Sequence, residues 1–79
     1  MVVDKKILRE RIGDRIRTAR TNMGLTQAEL VSITGITQQT ISLVERGLRE
    51  PSLSLAIRLC KVLKLNMMDF WDDIEIDDK

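Results

Sequence analysis

The sequence has no histidine, no tyrosine and only one cysteine, Cys60. A lone thiol forms no disulfide within the chain, and without histidine it completes no structural zinc site. Acid–base, nucleophilic and metal catalysis all need a cluster of reactive side chains, whereas the carboxylates here are scattered. We therefore expect a protein that is not an enzyme and holds no metal and no cofactor, with Cys60 packed as a small core residue.

Long apolar runs are missing as well. No stretch approaches the roughly 18 apolar residues of a membrane span. The first residues, MVVDKK, are not followed by the apolar segment of a secretion signal. Together with the single thiol, these absences predict a cytoplasmic protein with no membrane partner.

Aromatic residues, glycine and proline are scarce, since the chain has only Phe70, Trp71, four glycines and one proline. The core must therefore be aliphatic. The many leucine, isoleucine, arginine and lysine residues favour helices. With 79 residues, the chain is expected to form one small all-α domain.

Charge is distributed unevenly, although the net charge is only +1. Residues 1–20 carry seven basic and three acidic side chains, whereas residues 69–79 carry six acids and one lysine. A basic body attracts a polyanion such as nucleic acid, but a charged surface also serves solubility alone. Charge by itself leaves both interpretations open.

Apolar residues recur every three or four positions over residues 5–23, which predicts a first helix. Gly13 is unfavourable inside a helix and is therefore expected to mark the true start of helix 1. Residues 1–12 are therefore interpreted as an N-terminal extension of helix 1. Thr26 and Glu29 have the spacing of a capping box, which predicts a second helix that Gly35 ends after two turns.

Three further helix starts follow. Thr37 and Ser52 are candidate N-caps of a third and a fourth helix, and Asn66 could cap a short fifth helix over residues 67–71. Two short helices joined by a tight turn form a helix-turn-helix. Neither is stable alone, so one side of the third helix must pack on the core and leave another side outward.

Three stretches carry a resemblance to a known family: IRTARTNMGLTQAELV, GITQQTISLVERGLREPSL and AIRLCKVLKLNMMDFW. In this order and spacing, from about Gly13 to Phe70, the chain resembles the phage repressor and Cro-type (XRE-like) helix-turn-helix regulators. The resemblance implies a compact five-helix, lambda-repressor-like fold with the helix-turn-helix at helices 2 and 3. It implies a DNA-binding domain over residues 13–71, between the extension at residues 1–12 and an acidic tail at residues 72–79.

Two residues depart from the family pattern. Val31 stands where alanine is usual, and Thr34 stands where leucine is common. These departures predict either a wider crossing of helices 2 and 3 or an apolar contact supplied by Ile33 instead.

The third helix of this family enters the major groove of double-stranded DNA, so its outward residues are the candidates for reading bases. Glutamine can bond to both N6 and N7 of adenine, and serine suits several bases. Leu43 either touches a thymine methyl group or is a partly exposed residue that contacts no base. The expected base-reading residues are Gln38, Gln39, Ser42 and Leu43.

Other residues are expected to hold the DNA backbone or the fold. In the family, the glutamine that begins helix 2, here Gln27, contacts a phosphate and braces Gln38. The expected phosphate-binding residues are Thr26, Gln27, Thr37, Thr40, Arg46 and Arg49. The resemblance also implies a structural ion pair between Arg20 and Glu45.

One such domain reads about one half-site, which implies a homodimer on a palindromic operator. The expected dimer interface comprises Met68, Trp71 and Ile74. The protein is then a transcriptional regulator, and we expect a repressor. Two alternatives stay open: an antitoxin-type regulator whose acidic tail binds a protein partner, and a protein-interaction module of the same fold that binds no DNA.

Overall fold

The computed structural model describes residues 4–66 and residue 68, and this part of the chain forms four helices and no strand. The helices are α1 (Lys5–Asn22), α2 (Gln27–Thr34), α3 (Gln38–Glu45) and α4 (Leu53–Leu63). The all-α prediction is confirmed. The predicted fifth helix lies outside the described residues except for Met68, whose N–H donates to Asn66 Oδ1 at 3.0 Å.

The predicted N-caps set the starts of α2, α3 and α4. Thr26 Oγ1 accepts from the Glu29 N–H at 3.0 Å, and Glu29 Oε1 accepts from the Thr26 N–H at 2.9 Å, which completes the capping box. Thr37 and Ser52 each accept a backbone N–H three residues further on. These bonds satisfy N–H groups that have no partner within the helix, so they fix where each helix begins.

The four helices bury one aliphatic core. Arg58 of α4 also donates to the Thr34 carbonyl oxygen at 3.3 Å, which ties α4 to the last residue of α2. The buried apolar residues are Ile12, Ile16, Leu30, Ile36, Ile41, Val44, Ala56, Leu59, Cys60 and Leu63.

Thr34, which departs from the family pattern, is hydrogen-bonded by residues close to it in the chain. Thr34 is buried, and its hydroxyl donates to the Leu30 carbonyl oxygen at 2.7 Å and accepts from the Ile36 N–H at 3.2 Å. Ile33 is 55% exposed, so the expectation that it supplies the apolar contact is wrong. A buried hydroxyl with both roles filled carries little desolvation penalty, which explains why threonine is tolerated here.

Gly13 does not mark the start of α1, because the helix begins at Lys5 and continues through it. Gly13 is buried where α3 ends against α1. A Cβ at this position would lie 2.7 Å from the Glu45 carbonyl oxygen and closer still to that of Val44. The missing side chain therefore lets the two helix backbones approach, which the sequence interpretation did not foresee.

An ion pair fixes the same junction of α1 and α3. Arg20 Nε donates to Glu45 Oε2 at 2.7 Å, and Nη2 donates to Glu45 Oε1 at 3.0 Å. Arg20 Nη1 donates to the Leu25 carbonyl oxygen at 2.7 Å. The side chains are only 12% and 3% exposed, respectively. The hydrogen bonds that Arg20 donates to Glu45 raise the pKa of the Arg20 guanidinium above its usual value, so Arg20 stays charged.

Replacing Arg20 by alanine should lower the free energy of unfolding by about 3 kcal/mol, because the buried Glu45 carboxylate loses its counter-charge. Urea denaturation measures this difference. The matched control is Arg17→Ala, which breaks an ion pair of equal length to Asp14, 2.7 Å, between side chains that are 57% and 63% exposed. The control should change stability by no more than about 0.5 kcal/mol. Equal effects of the two substitutions would contradict the structural role of Arg20.

Replacing Gly13 by alanine should also destabilise the protein, although alanine is the better helix former by about 1 kcal/mol. The added Cβ would push α3 away from α1, and we expect a net loss of about 1–3 kcal/mol in the free energy of unfolding. Thr18→Ala, at an exposed position of α1, is the control and should be neutral or slightly stabilising. A Gly13→Ala protein as stable as the control would show that the two backbones are not in close contact.

Candidate nucleic-acid interface

The outward side of α3 follows from which of its residues are buried. Ile41, Val44 and Glu45 are buried in the described structure. Residues three and four positions apart share a helix face, so the remaining residues other than Thr40 form a neighbouring strip. We call this strip the recognition face; it comprises Gln38, Gln39, Ser42 and Leu43.

The recognition face grades from exposed to half-buried along the helix. Gln38 and Gln39 in the first turn are exposed, whereas Ser42 and Leu43 one turn later are half-buried. The long amides therefore stand furthest from the core, and the shorter residues lie between them and the end of α3. All four predicted base-reading residues lie on this one face.

Three of the predicted phosphate-binding residues form a cluster at the start of α3. Thr37 donates its hydroxyl proton to Thr40 Oγ1 at 2.9 Å, and Arg49 Nη1 reaches the same oxygen from the loop after α3 at 3.4 Å. Thr40 Oγ1 thus accepts twice, which leaves its own O–H proton to donate elsewhere. This cluster presents a cation and a hydroxyl donor beside the recognition face.

Arg46, just after α3, has a different arrangement. Its side chain is exposed, and its Nε lies 3.4 Å from the Ser42 carbonyl oxygen in the last turn of α3. A cation at a helix C-terminus interacts favourably with the unpaired carbonyl groups there. The guanidinium therefore lies next to the recognition face while part of it contacts the helix end.

At the start of α2, the N–H groups of Thr26 and Glu29 are hydrogen-bonded within the helix start itself. Thr26 and Glu29 exchange the two hydrogen bonds of the capping box, and the bonds from Thr26 lower the pKa of the Glu29 carboxyl. The Thr26 N–H is therefore occupied, and the Thr26 hydroxyl also contacts Glu29.

Gln27 has a partner that the sequence did not predict. Its Nε2 donates to Glu45 Oε1 at 3.1 Å, so Gln27 joins the ion pair of Arg20 and Glu45. The signal for this contact was weak, because the two residues are 18 positions apart and meet only when α2 packs across α3.

The predicted dimer interface is only partly described. Met68 is 61% exposed, whereas Trp71 and Ile74 lie outside the described residues. Two residues of α4, Leu53 and Ile57, are 70% and 42% exposed. These two residues lie one turn apart on α4 and therefore on the same side of the helix.

None of the helices in residues 4–66 is long and apolar enough to cross a membrane. Over the described part of the chain, no three histidine, cysteine, aspartate or glutamate side chains are grouped so that they could hold a metal ion.

Comparison with known proteins identifies this arrangement of helices. The pattern of the helix-turn-helix (HTH_3) family matches residues 16–70. YgzD, an HTH-type transcriptional regulator of Bacillus subtilis (strain 168), is 36% identical over 59 residues, which cover 73% of this chain and 89% of YgzD.

Solved structures agree with this assignment. The clp gene regulator ClgR of Corynebacterium glutamicum has a TM-score of 0.74 at 32% identity, with 80% of this chain and 67% of ClgR covered. The restriction-modification controller protein C.AhdI of Aeromonas hydrophila has a TM-score of 0.73 at 30% identity, with 80% and 96% covered. The chain therefore belongs to the helix-turn-helix family of DNA-binding transcriptional regulators, as its resemblance to the Cro-type proteins predicted.

Proposed function

We propose that the protein is a repressor that binds a palindromic operator as a homodimer, with α3 in the major groove of each half-site. The observation that carries this proposal is the composition of the recognition face. One side of α3 is buried, whereas the other presents two exposed amides, a hydroxyl and a methyl-bearing side chain beside exposed arginines. This set suits base edges flanked by phosphates.

Each residue of the recognition face has a role that its chemistry supports. Gln38 and Gln39 can each donate to adenine N7 and accept from adenine N6. Ser42 can donate or accept one turn further along, and Leu43 can contact the methyl group of thymine. We therefore expect a half-site rich in A·T pairs at the positions that face the first turn of α3.

The surrounding donors would hold the DNA backbone. The cluster of Thr37, Thr40 and Arg49 offers one phosphate group a charged and a neutral donor. Thr26 and Gln27 at the start of α2 would contact a second phosphate, and Arg46 a third. These contacts fix the position of α3 along the groove but carry little sequence information.

Dimerisation would supply the second half-site. The exposed Met68, together with Trp71 and Ile74, is proposed as the interface that a second copy covers, and Leu53 and Ile57 of α4 are also exposed. A two-fold symmetric dimer presents two recognition helices, so the operator should be palindromic. Occupation of promoter DNA by such a dimer is sufficient for repression, and we propose that it acts in the cytoplasm.

Selection of bound sequences from random duplex DNA tests this proposal most directly. We expect a palindromic motif whose half-sites lie about 10 base pairs apart, or a multiple of that, and binding that weakens steeply as salt is raised. A motif without two-fold symmetry would contradict the homodimer. No binding even at low salt would contradict DNA recognition and favour a protein-interaction module of the same fold.

Substitutions on the selected operator then separate base reading from phosphate binding. Gln39→Ala should weaken operator binding by about 1–3 kcal/mol and random-DNA binding much less, because only the operator offers the bonded base. Arg49→Ala should weaken both about equally. Lys61→Ala, which removes an exposed cation from α4, is the control and should change neither strongly. An equal loss on both DNAs for Gln39→Ala would exclude a base contact; fluorescence anisotropy gives the affinities.

A further inference from the structure

Among the residues proposed to contact DNA, Gln27 is the one whose side chain is hydrogen-bonded to a buried charged group. Its Nε2 donates to Glu45 Oε1 at 3.1 Å, and that same oxygen accepts from Arg20 Nη2 at 3.0 Å. Gln27 is half-buried, whereas the amides of Gln38 and Gln39 are exposed. The three glutamines of the chain therefore differ in how far the protein fixes them before any ligand binds.

The chemistry of the contact fixes the orientation of the Gln27 amide. An ionised carboxylate only accepts hydrogen bonds, whereas a primary amide has two N–H donors on one end and an acceptor oxygen on the other. If the amide turned over, its oxygen would face the Glu45 carboxylate, and two acceptors would repel. The stable arrangement leaves one N–H and the carbonyl oxygen of Gln27 free for other partners.

Glu45 is itself immobilised, so its hydrogen bond to Gln27 fixes the position of the Gln27 amide. Its side chain is 3% exposed, and two nitrogens of Arg20 bind its two oxygens. Arg20 is anchored in turn to the Leu25 carbonyl oxygen, two residues before Gln27. The loop that leads into α2 and the side chain at its start are thus fixed by one ion pair.

We propose that Glu45 is a positioning residue for DNA binding: it orients the Gln27 amide so that one N–H faces a phosphate group before the DNA arrives. This inference rests on the proposed function. Glu45 itself is buried and makes no DNA contact in this arrangement. Its contribution is preorganisation, because ordering a free long side chain on binding would weaken affinity by roughly three- to tenfold. Since a phosphate carries no sequence information, the gain applies to operator and random DNA alike.

A double-mutant cycle tests the proposal. One variant is R20M/E45M, which removes the hydrogen bond between Glu45 and Gln27 and keeps the net charge. It replaces a buried ion pair by apolar side chains of similar length, a change that folded proteins often tolerate. The other is Q27A, and the third protein combines both. We expect R20M/E45M to bind random and operator DNA roughly three- to tenfold more weakly than the wild type, and to cause a much smaller loss when Gln27 is already alanine.

The cycle separates positioning from a general structural role. If α3 merely shifts when the ion pair is lost, the loss from R20M/E45M will be the same with glutamine or alanine at position 27, and the proposal is overturned. If the wild type binds no DNA at all, the proposed function and this inference both fail. DNA binding with additive losses would reject only the inference.

A second measurement needs neither a variant nor DNA, and it applies even if R20M/E45M does not fold. Hydrogen exchange of the three glutamine side-chain amides can be followed by NMR in the free protein. We expect the Gln27 amide to exchange more slowly than those of Gln38 and Gln39, which serve as exposed internal controls. Equal exchange at all three positions would show that Gln27 is not held in advance and would overturn the proposal.

Discussion

Arg20 and Glu45 meet where the last turn of α1, the loop before α2 and the last residue of α3 come together. Beside them Gly13 lets the backbone of α3 approach that of α1. The rest of the fold depends on this junction, because α2 and α3 have only eight residues each. Helices of that length are marginal on their own, so their order comes from packing against longer neighbours. A buried ion pair adds little net stability, but it allows few alternative packings, since any other arrangement would leave a charge without a partner.

The candidate interface is a consequence of that junction. Once Glu45 and the apolar residues of α3 face the core, the recognition face is directed outward whatever its own sequence. The same carboxylate binds Gln27 at the start of α2, so a single buried group links the packing of α1 and α3 with the orientation of a proposed phosphate donor. Stability and recognition therefore share an element here. By contrast, Gln38 and Gln39 are exposed and take no part in the core.

Features that depend on neighbours along the chain were predicted well. The N-caps Thr26, Thr37 and Ser52 bond to N–H groups three residues away, so their residue type and spacing suffice to locate them. Gly35 ends α2 in a left-handed conformation that suits glycine, again a local property. Gly13 was interpreted wrongly because helix propensity describes a helix in isolation. The carbonyl groups that exclude a side chain at this position belong to α3, far along the chain.

The sequence by itself determined the four described helices, the aliphatic composition of the core and, through its resemblance to a family, the side chains of the recognition face and the partners in the ion pair. These follow from periodicity, capping and motif, all of which are patterns of residue type and spacing in the sequence. Only the tertiary structure decided that Glu45 also binds Gln27, that Thr34 is buried while Ile33 faces solvent, and that Gly13 lies at a helix contact and not at the start of α1. The reason is physical: each depends on how closely and at what angle the helices pack, and that is set by the whole core at once.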